Sequence, residues 1–297
     1  MERALALPAP AKLNLFLHVL GRRADGYHDL QSAFVLIDLA DWIDLERRDD
    51  GQVNRTGDLV GAASGDLALR AAQLLQQRTG TSYGADIHVT KRIPAGAGLG
   101  GGSSDAATTL IALNRLWNTG LDRVQLAALG LELGADVPFF VHGNNAFAEG
   151  RGERLTALAL QPLHYAVIWP QVAVSTKEIF EDPGLTRTTK ATKMSDFSAA
   201  FDPVPQTLRK SGAAGNAVLF GANDLEAVAR RRFPVIDRVL AHLARFGAAR
   251  MTGSGSAVFA VMASEEVARA AIAGLPEDWR GWVARGLGEH PLRAWSA

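Results

Sequence analysis

The chain reads as an α+β protein of 297 residues. Apolar periods of two and of 3.6 residues both occur. They alternate without the strict strand–helix–strand rhythm of a parallel sheet, and one glycine-dense loop joins a strand to a helix. This length favours two domains over one, and we place their boundary near residue 156, giving segments 1–155 and 156–297.

The elements follow in order. Pro8-Ala9-Pro10 separates a short apolar start from Lys12–Leu20, where Leu13, Leu15, Leu17 and Val19 alternate with Lys12, Asn14 and His18. Lys12 and Asn14 therefore share a face. A turn-rich connector runs from Gly21 to His28, and Phe34–Leu39 and Trp42–Arg47 read as two strands before the turn Asp49-Asp50-Gly51. Ser64–Arg78 has the period of a helix ended by Thr79-Gly80, and Ala85–Thr90 that of a strand. Helices are expected over Ser104–Leu116 and Arg123–Leu133, with a hairpin between Gly143 and Gly152. Beyond residue 156 we expect a strand over Tyr165–Trp169 and helices over Asn223–Arg231 and Pro234–Arg245. A strand–turn–strand over Arg250–Val261 and a helix over Glu265–Gly274 follow, and Trp282–Leu287 can return as a strand to either domain. The polar stretch Asp182–Gly215 has no assignable period.

Composition excludes several classes of function. Lys plus Arg and Asp plus Glu both number 31, so no basic excess points to nucleic acid. The absence of cysteine removes disulfide scaffolds, thiolate metal sites and a cysteine nucleophile, and fits the cytosol. The first residues lack the apolar core of a signal peptide, and no run approaches the roughly 18 apolar residues of a membrane span. A cytoplasmic protein with neither nucleic-acid nor membrane partner is expected, its assembly left open between monomer and weak dimer.

The loop from Ile93 to Ser104 carries the chemistry. Gly96, Gly98, Gly100, Gly101 and Gly102 fall within seven residues, and Ser103 and Ser104 then open the helix. Such a backbone can turn its N–H groups toward an anion at the positive end of a helix dipole. Gly96, Gly98 and Gly101 satisfy the dinucleotide pattern G-x-G-x-x-G, but the downstream acid Asp122 follows a turn and no second strand, so the ribose ligand is missing. A Walker loop fails as well, because Gly102 stands where its lysine belongs. A purely structural loop with serine caps is the third reading, disfavoured by the entropy that dense glycine costs on folding.

Pro94–Ala107 resembles the phosphate-binding motif of the GHMP kinases, which include galactokinase, homoserine kinase and mevalonate kinase. Pro10–Leu15 resembles that family's first motif and Thr252-Gly253-Ser254-Gly255 its third. The resemblance implies an N-terminal ribosomal-S5-like domain and a C-terminal ferredoxin-like domain, with substrate and ATP meeting in the cleft between them. It further implies that Asp136 takes the proton of the attacked hydroxyl and that Lys12 beside it offsets phosphoryl charge, with Asn14 near the reacting group. Pro94, Gly96, Gly98, Gly100, Gly101, Gly102, Ser103 and Ser104 would hold the phosphates of ATP together with Mg²⁺, with Ser104 nearest the metal; Asp105 could instead cap the helix. Asp66 stands where the family often has an asparagine beside the adenine, and cannot donate as an amide can.

More narrowly, Lys12–Leu15, Arg23–His28, Gly134–Pro138 and Ala146–Gly150 resemble the branch that phosphorylates the 2-hydroxyl of a cytidine-diphosphate-linked methylerythritol in the non-mevalonate isoprenoid route. That resemblance implies that Tyr27 and His28 hold the cytosine and that Phe180 covers its other side. The alternatives are a mevalonate or homoserine type of GHMP kinase, or a non-catalytic sensor of the same fold. A sensor would not need Lys12 and Asp136 together.

Overall fold

The computed structural model describes residues 2–200 and 219–296. Ten strands and nine α-helices stand among them. The first sheet is built on two long antiparallel strands, β1 (Arg3–Arg22) and β2 (His28–Arg48). On the other side of β2 lie β4 (Gly84–Thr90), paired along Trp42–Arg48, and β5 (Ala146–Gly150), paired along Leu30–Phe34. β3 (Val53–Gly57) runs parallel to β4, and β6 (Arg154–Ala157) closes the hairpin with β5.

Two expectations change here. Pro8 and Pro10 do not separate β1 into pieces, because among the described strands β1 pairs only with β2 and an edge strand tolerates residues without an N–H. Phe34–Leu39 and Trp42–Arg47 likewise form one strand, whose polar interruption at Asp41 is buried and used. Register shifts at Pro10/Ala11 and Asn14/Leu17 bend β1 beside the site.

Helices α1 (Leu67–Thr79), α2 (Gly101–Leu116), α3 (Arg123–Leu133) and α4 (Val137–His142) cover one face of this sheet. Phe34 and Leu36 of β2 point into that helical core, while Ala33, Val35 and Ile37 point to the opposite face. Burial on both faces explains why β2 is so continuously apolar. α1 begins at Leu67, capped by Asp66, and not at Ser64; Gly80 ends it in the left-handed conformation. α3 has the expected bounds, and Asp122 is its N-cap in a capping box with Gln125.

The second sheet has the order β10 (Arg280–Arg285), β7 (His164–Trp169), β9 (Val258–Met262), β8 (Ala249–Met251), all antiparallel. Its one face packs Tyr165, Val167, Phe259 and Val261 against Leu13, Leu15, Val35 and Ile37 of the first sheet. The other face is covered by α5 (Thr176–Glu181), α7 (Glu226–Arg232), α8 (Val235–Leu243) and α9 (Glu265–Ile272). After β10, Gly286 bridges Ile37 and Leu287 N donates to Leu36 O, so the chain crosses back to the first sheet. Within the polar stretch 182–215, α6 (Met194–Ala200) is helical and buries Phe197; the rest of that stretch, from 201 on, lies outside the described residues.

Candidate active site

The free edge of β1 is where the site is assembled. Lys12 N donates to Leu99 O at 3.0 Å, so the glycine loop lies along the strand instead of another strand. The third motif closes the same place: Asn14 N donates to Thr252 Oγ1 at 2.9 Å, and Ala257 N to Ala97 O at 3.1 Å. Gly98 shows why this packing demands glycine. Its φ is +77°, and a Cβ there would lie 2.1 Å from Thr252 O.

Beneath the loop, Lys12 Nζ stands 3.6 Å from Asp136 Oδ2 and donates to Asn14 Oδ1. Asn14 Nδ2 in turn donates to Ser32 Oγ at 2.9 Å. Lys12 is only 4% exposed, and burial lowers its ammonium below the usual lysine range, with Asp136 opposing the shift. Asp136 occupies the position before α4 but makes no capping bond with its side chain, which is 34% exposed. Its carboxylate is free for another partner.

These groups line a cleft of about 540 Å³ that includes Pro94, Gly96, Gly98, Gly100, Gly101, Gly102 and Ser103, together with Arg55, Asp66, Lys91, Arg151 and Phe180. α2 starts at Gly101 with Gly100 as its left-handed cap, so Ser103 and Ser104 lie within the first turn and do not open the helix. Only Ser103 of the pair lines the cleft; Ser104 is fully buried and its Oγ has no hydrogen-bond partner among the described residues. Asp105 does not cap the helix either. Its Oδ2 accepts from Lys91 Nζ at 2.6 Å, and Lys91 also reaches Asp41 Oδ2 at 2.5 Å. Asp41 Oδ1 takes the N–H groups of Arg92 and Ile93, so this buried group ties the entry of the loop to α2. Burial pushes the Asp105 carboxyl up to about 7, against the pull of Lys91 and with the Asp41 charge adding to it.

Asp66 spends one oxygen on the N–H of Leu69, at 2.9 Å, and the other on Arg55 Nε, at 3.1 Å. The Arg55 guanidinium also donates to Thr56 O and Asp58 O and its side chain is only 3% exposed, so it holds Asp66 in place and is itself spent on the protein. Among the described residues no group of three or more His, Asp or Glu side chains could hold a metal ion. Ser103 and Asp105, which line the cleft, offer the one or two protein oxygens that fit an ion arriving with a nucleotide's phosphates and keeping several waters.

Tyr27, His28 and Phe180 are only partly brought together. Tyr27 is 57% exposed, with the Arg151 guanidinium 4.9 Å above its ring. His28 is buried and stacks on Phe180, with ring centroids 5.1 Å apart and an interplanar angle of 27°. Phe180 therefore belongs to the cleft wall more than to the core. Sequence reasoning missed Arg55, Lys91 and Arg187, a neighbour of His28. An aspartate inside the apolar run Leu39–Ile43 was the one available signal for the Asp41 network.

Residues 66–144 match the GHMP kinases N terminal domain and residues 208–281 the GHMP kinases C terminal domain. The chain belongs to the GHMP kinases, a family of two-domain small-molecule kinases whose α+β architecture it shares. It is 53% identical over 296 residues to a 4-diphosphocytidyl-2-C-methyl-D-erythritol kinase of Aromatoleum aromaticum, covering 99% of this chain and 98% of that protein. A protein of the same name from Ralstonia nicotianae is 54% identical over 287 residues, covering 96% and 94%. A crystal structure of 4-(cytidine 5'-diphospho)-2C-methyl-D-erythritol kinase superposes with a TM-score of 0.75 at 36% identity, covering 96% of this chain and 99% of that one. A homoserine kinase from Cytophaga hutchinsonii shares the fold, with a TM-score of 0.67 at 18% identity, covering 98% and 96%. No helix among the described residues is long and apolar enough to cross a membrane.

Proposed function

We propose that this protein transfers the γ-phosphoryl group of ATP to the 2-hydroxyl of 4-diphosphocytidyl-2-C-methyl-D-erythritol, in the cytoplasm and as a step of isoprenoid precursor synthesis. What carries the reading is the pair Lys12 Nζ and Asp136 Oδ2, 3.6 Å apart beside the glycine loop, in a chain whose relatives bear that name over nearly their whole length. Residues 1–155 form the ATP-binding and catalytic half, and residues 156–297 complete the cleft.

The chemistry follows from the side chains. As the substrate oxygen forms its bond to the γ-phosphorus and the bond to the β–γ bridging oxygen breaks, the hydroxyl proton passes to Asp136 and ADP leaves. Lys12 sits where negative charge builds on the transferring group and acts there from a water-poor position. Asn14 orients Lys12 and reaches toward the reacting hydroxyl. The loop N–H groups and the N-terminal end of α2 hold the phosphates. Ser103, Ser104 and Asp105 at the start of α2 would offer oxygens to Mg²⁺, which would supply neutralisation of phosphate charge when bound with ATP. Ser103 and Asp105 line the cleft; Ser104 would have to expose its buried hydroxyl.

Tyr27, His28 and Phe180 receive the cytidine end. Asp66, held in place by Arg55, lies on the wall assigned to adenine. The test is incubation of the protein with ATP, Mg²⁺ and 4-diphosphocytidyl-2-C-methyl-D-erythritol, with mevalonate and homoserine as competing acceptors. ADP and a phosphorylated cytidine product are expected; folded protein that turns over only another alcohol, or none, would remove this substrate.

A further inference from the structure

His28 lies against an arginine whose four hydrogen bonds leave it little freedom. Arg187 Nε donates to His28 Nε2 at 3.1 Å. Its Nη2 donates to Phe180 O at 2.9 Å and Asp182 O at 2.8 Å, and its Nη1 to Leu185 O at 3.2 Å. These carbonyls belong to the end of α5 and the turn after it, where helix carbonyls lack intrahelical partners. One guanidinium therefore clips the segment that carries Phe180 to the first residue of β2, and the two rings stack as a result.

The bond to His28 also decides a proton. Guanidinium nitrogens only donate and keep their charge at any ordinary pH, so His28 Nε2 must be an acceptor. The ring is then neutral with its proton on Nδ1, which has no hydrogen-bond partner among the described residues. Arg22, at the end of β1, and Arg187 are the charged groups facing this imidazole, and both disfavour its protonation, as burial does more strongly.

We infer that Arg187 is a positioning residue for nucleobase recognition, holding His28 as a fixed Nδ1–H donor and holding Phe180 stacked against it. This rests on the reading that His28 meets the cytosine. A fixed ring donor suits cytosine, whose N3 accepts, and opposes uracil, whose N3 carries a hydrogen. An arginine that makes no contact with substrate would thus enforce the choice between two bases of the same size.

The experiment compares Arg187→Met, Arg187→Lys and His28→Gln in the full-length protein. Steady-state kinetics with the cytidine and uridine forms of the acceptor would be joined by ¹⁵N-histidine spectra, in which His28 is assigned by its loss in His28→Gln. Arg187→Met is expected to raise KM for the cytidine acceptor ~10-fold, to move kcat and the ATP KM far less, and to narrow cytidine-over-uridine selectivity, since an unpaired recognition group typically costs about that factor. Its His28 ring should leave the single Nδ1–H form and titrate at higher pH. Arg187→Lys, able to donate to His28 but not to clip all three carbonyls, should recover part of the selectivity. If Arg187→Met keeps KM, selectivity and the His28 tautomer while His28→Gln raises KM, Arg187 has no positioning role and base recognition by His28 stands. If neither variant alters KM for the cytidine acceptor, recognition at His28 fails and the inference falls with it.

Discussion

Around Lys12 the cleft is built from strands and helix ends; around Phe180 it is built from a turn and the end of a six-residue helix. Lys12 and Asn14 sit on a 20-residue strand, and backbone bonds to Leu99 O and Thr252 Oγ1 fasten that strand to both other motifs. Tyr27 stands exposed in the turn before β2, with a cation above its ring. The contrast follows what each place must do. Phosphoryl transfer needs charges held to a fraction of an ångström in a water-poor site, which a packed scaffold supplies without reorganising. Recognition of a base gains from leaving a ring exposed, because the ligand itself then completes the burial.

The largest effect should come at the rigid end. Asp136→Asn is expected to lower kcat by at least ~10²-fold with nearly unchanged ATP binding, because the proton acceptor is lost while the carboxamide keeps its shape. Single-turnover rates with a parallel ATP titration check this, and unimpaired turnover would remove Asp136 as the base. Gly98→Ala tests the scaffold under the chemistry. A Cβ 2.1 Å from Thr252 O at a φ of +77° must push the loop off the third motif. Denaturant unfolding should show a loss of about 1–3 kcal/mol, and ATP affinity should fall with it. A fully stable, ATP-binding variant would mean that the two motifs need not touch.

Smaller effects are expected at the open end. Tyr27→Ala should raise KM for the cytidine acceptor ~10-fold and the ATP KM much less, in line with the loss of one stacked aromatic contact. Equal changes in both constants would make Tyr27 a structural residue and erase the contrast between the two regions. The mildest prediction concerns pH. Burial, Arg187 and Arg22 hold the His28 pKa below the ordinary histidine value, so the neutral ring is retained through the usual titration range and lost only as pH falls further. Since the unfolded chain binds the proton first, the contribution of His28 to stability is complete above about pH 6.5 and declines as pH drops toward the folded pKa. KM for the cytidine acceptor should rise a few-fold over the same acid range while the ATP KM stays flat; parallel changes would place the titration elsewhere.

How much of this was legible in advance differs from element to element. α3 has the bounds the sequence predicts, Arg123–Leu133, because its stop signal, Gly134, is local. Asp122, excluded as a ribose ligand for want of a preceding strand, is the cap of that helix. The sequence predicts shorter pieces in place of β1 and β2, since prolines and a buried aspartate look like breaks until a neighbour accounts for them. Pro8 and Pro10 are tolerated on an edge strand, and Asp41 is satisfied by Lys91 and two backbone N–H groups.

The amino-acid sequence by itself determined the mixed fold class, the loop that can cradle phosphates, and the pairing of a lysine with an amide on one strand face. Those depend on periodicity, glycine density and residue chemistry over a few neighbouring positions. Only the tertiary structure decided that Lys12 lies 3.6 Å from Asp136, that Gly98 packs against Thr252, that Arg55 accompanies Asp66 and that Arg187 sets the tautomer of His28. Each of these joins positions that are remote in the chain. Their energies come from burial and hydrogen-bond geometry that exist only after the strands and helices have packed.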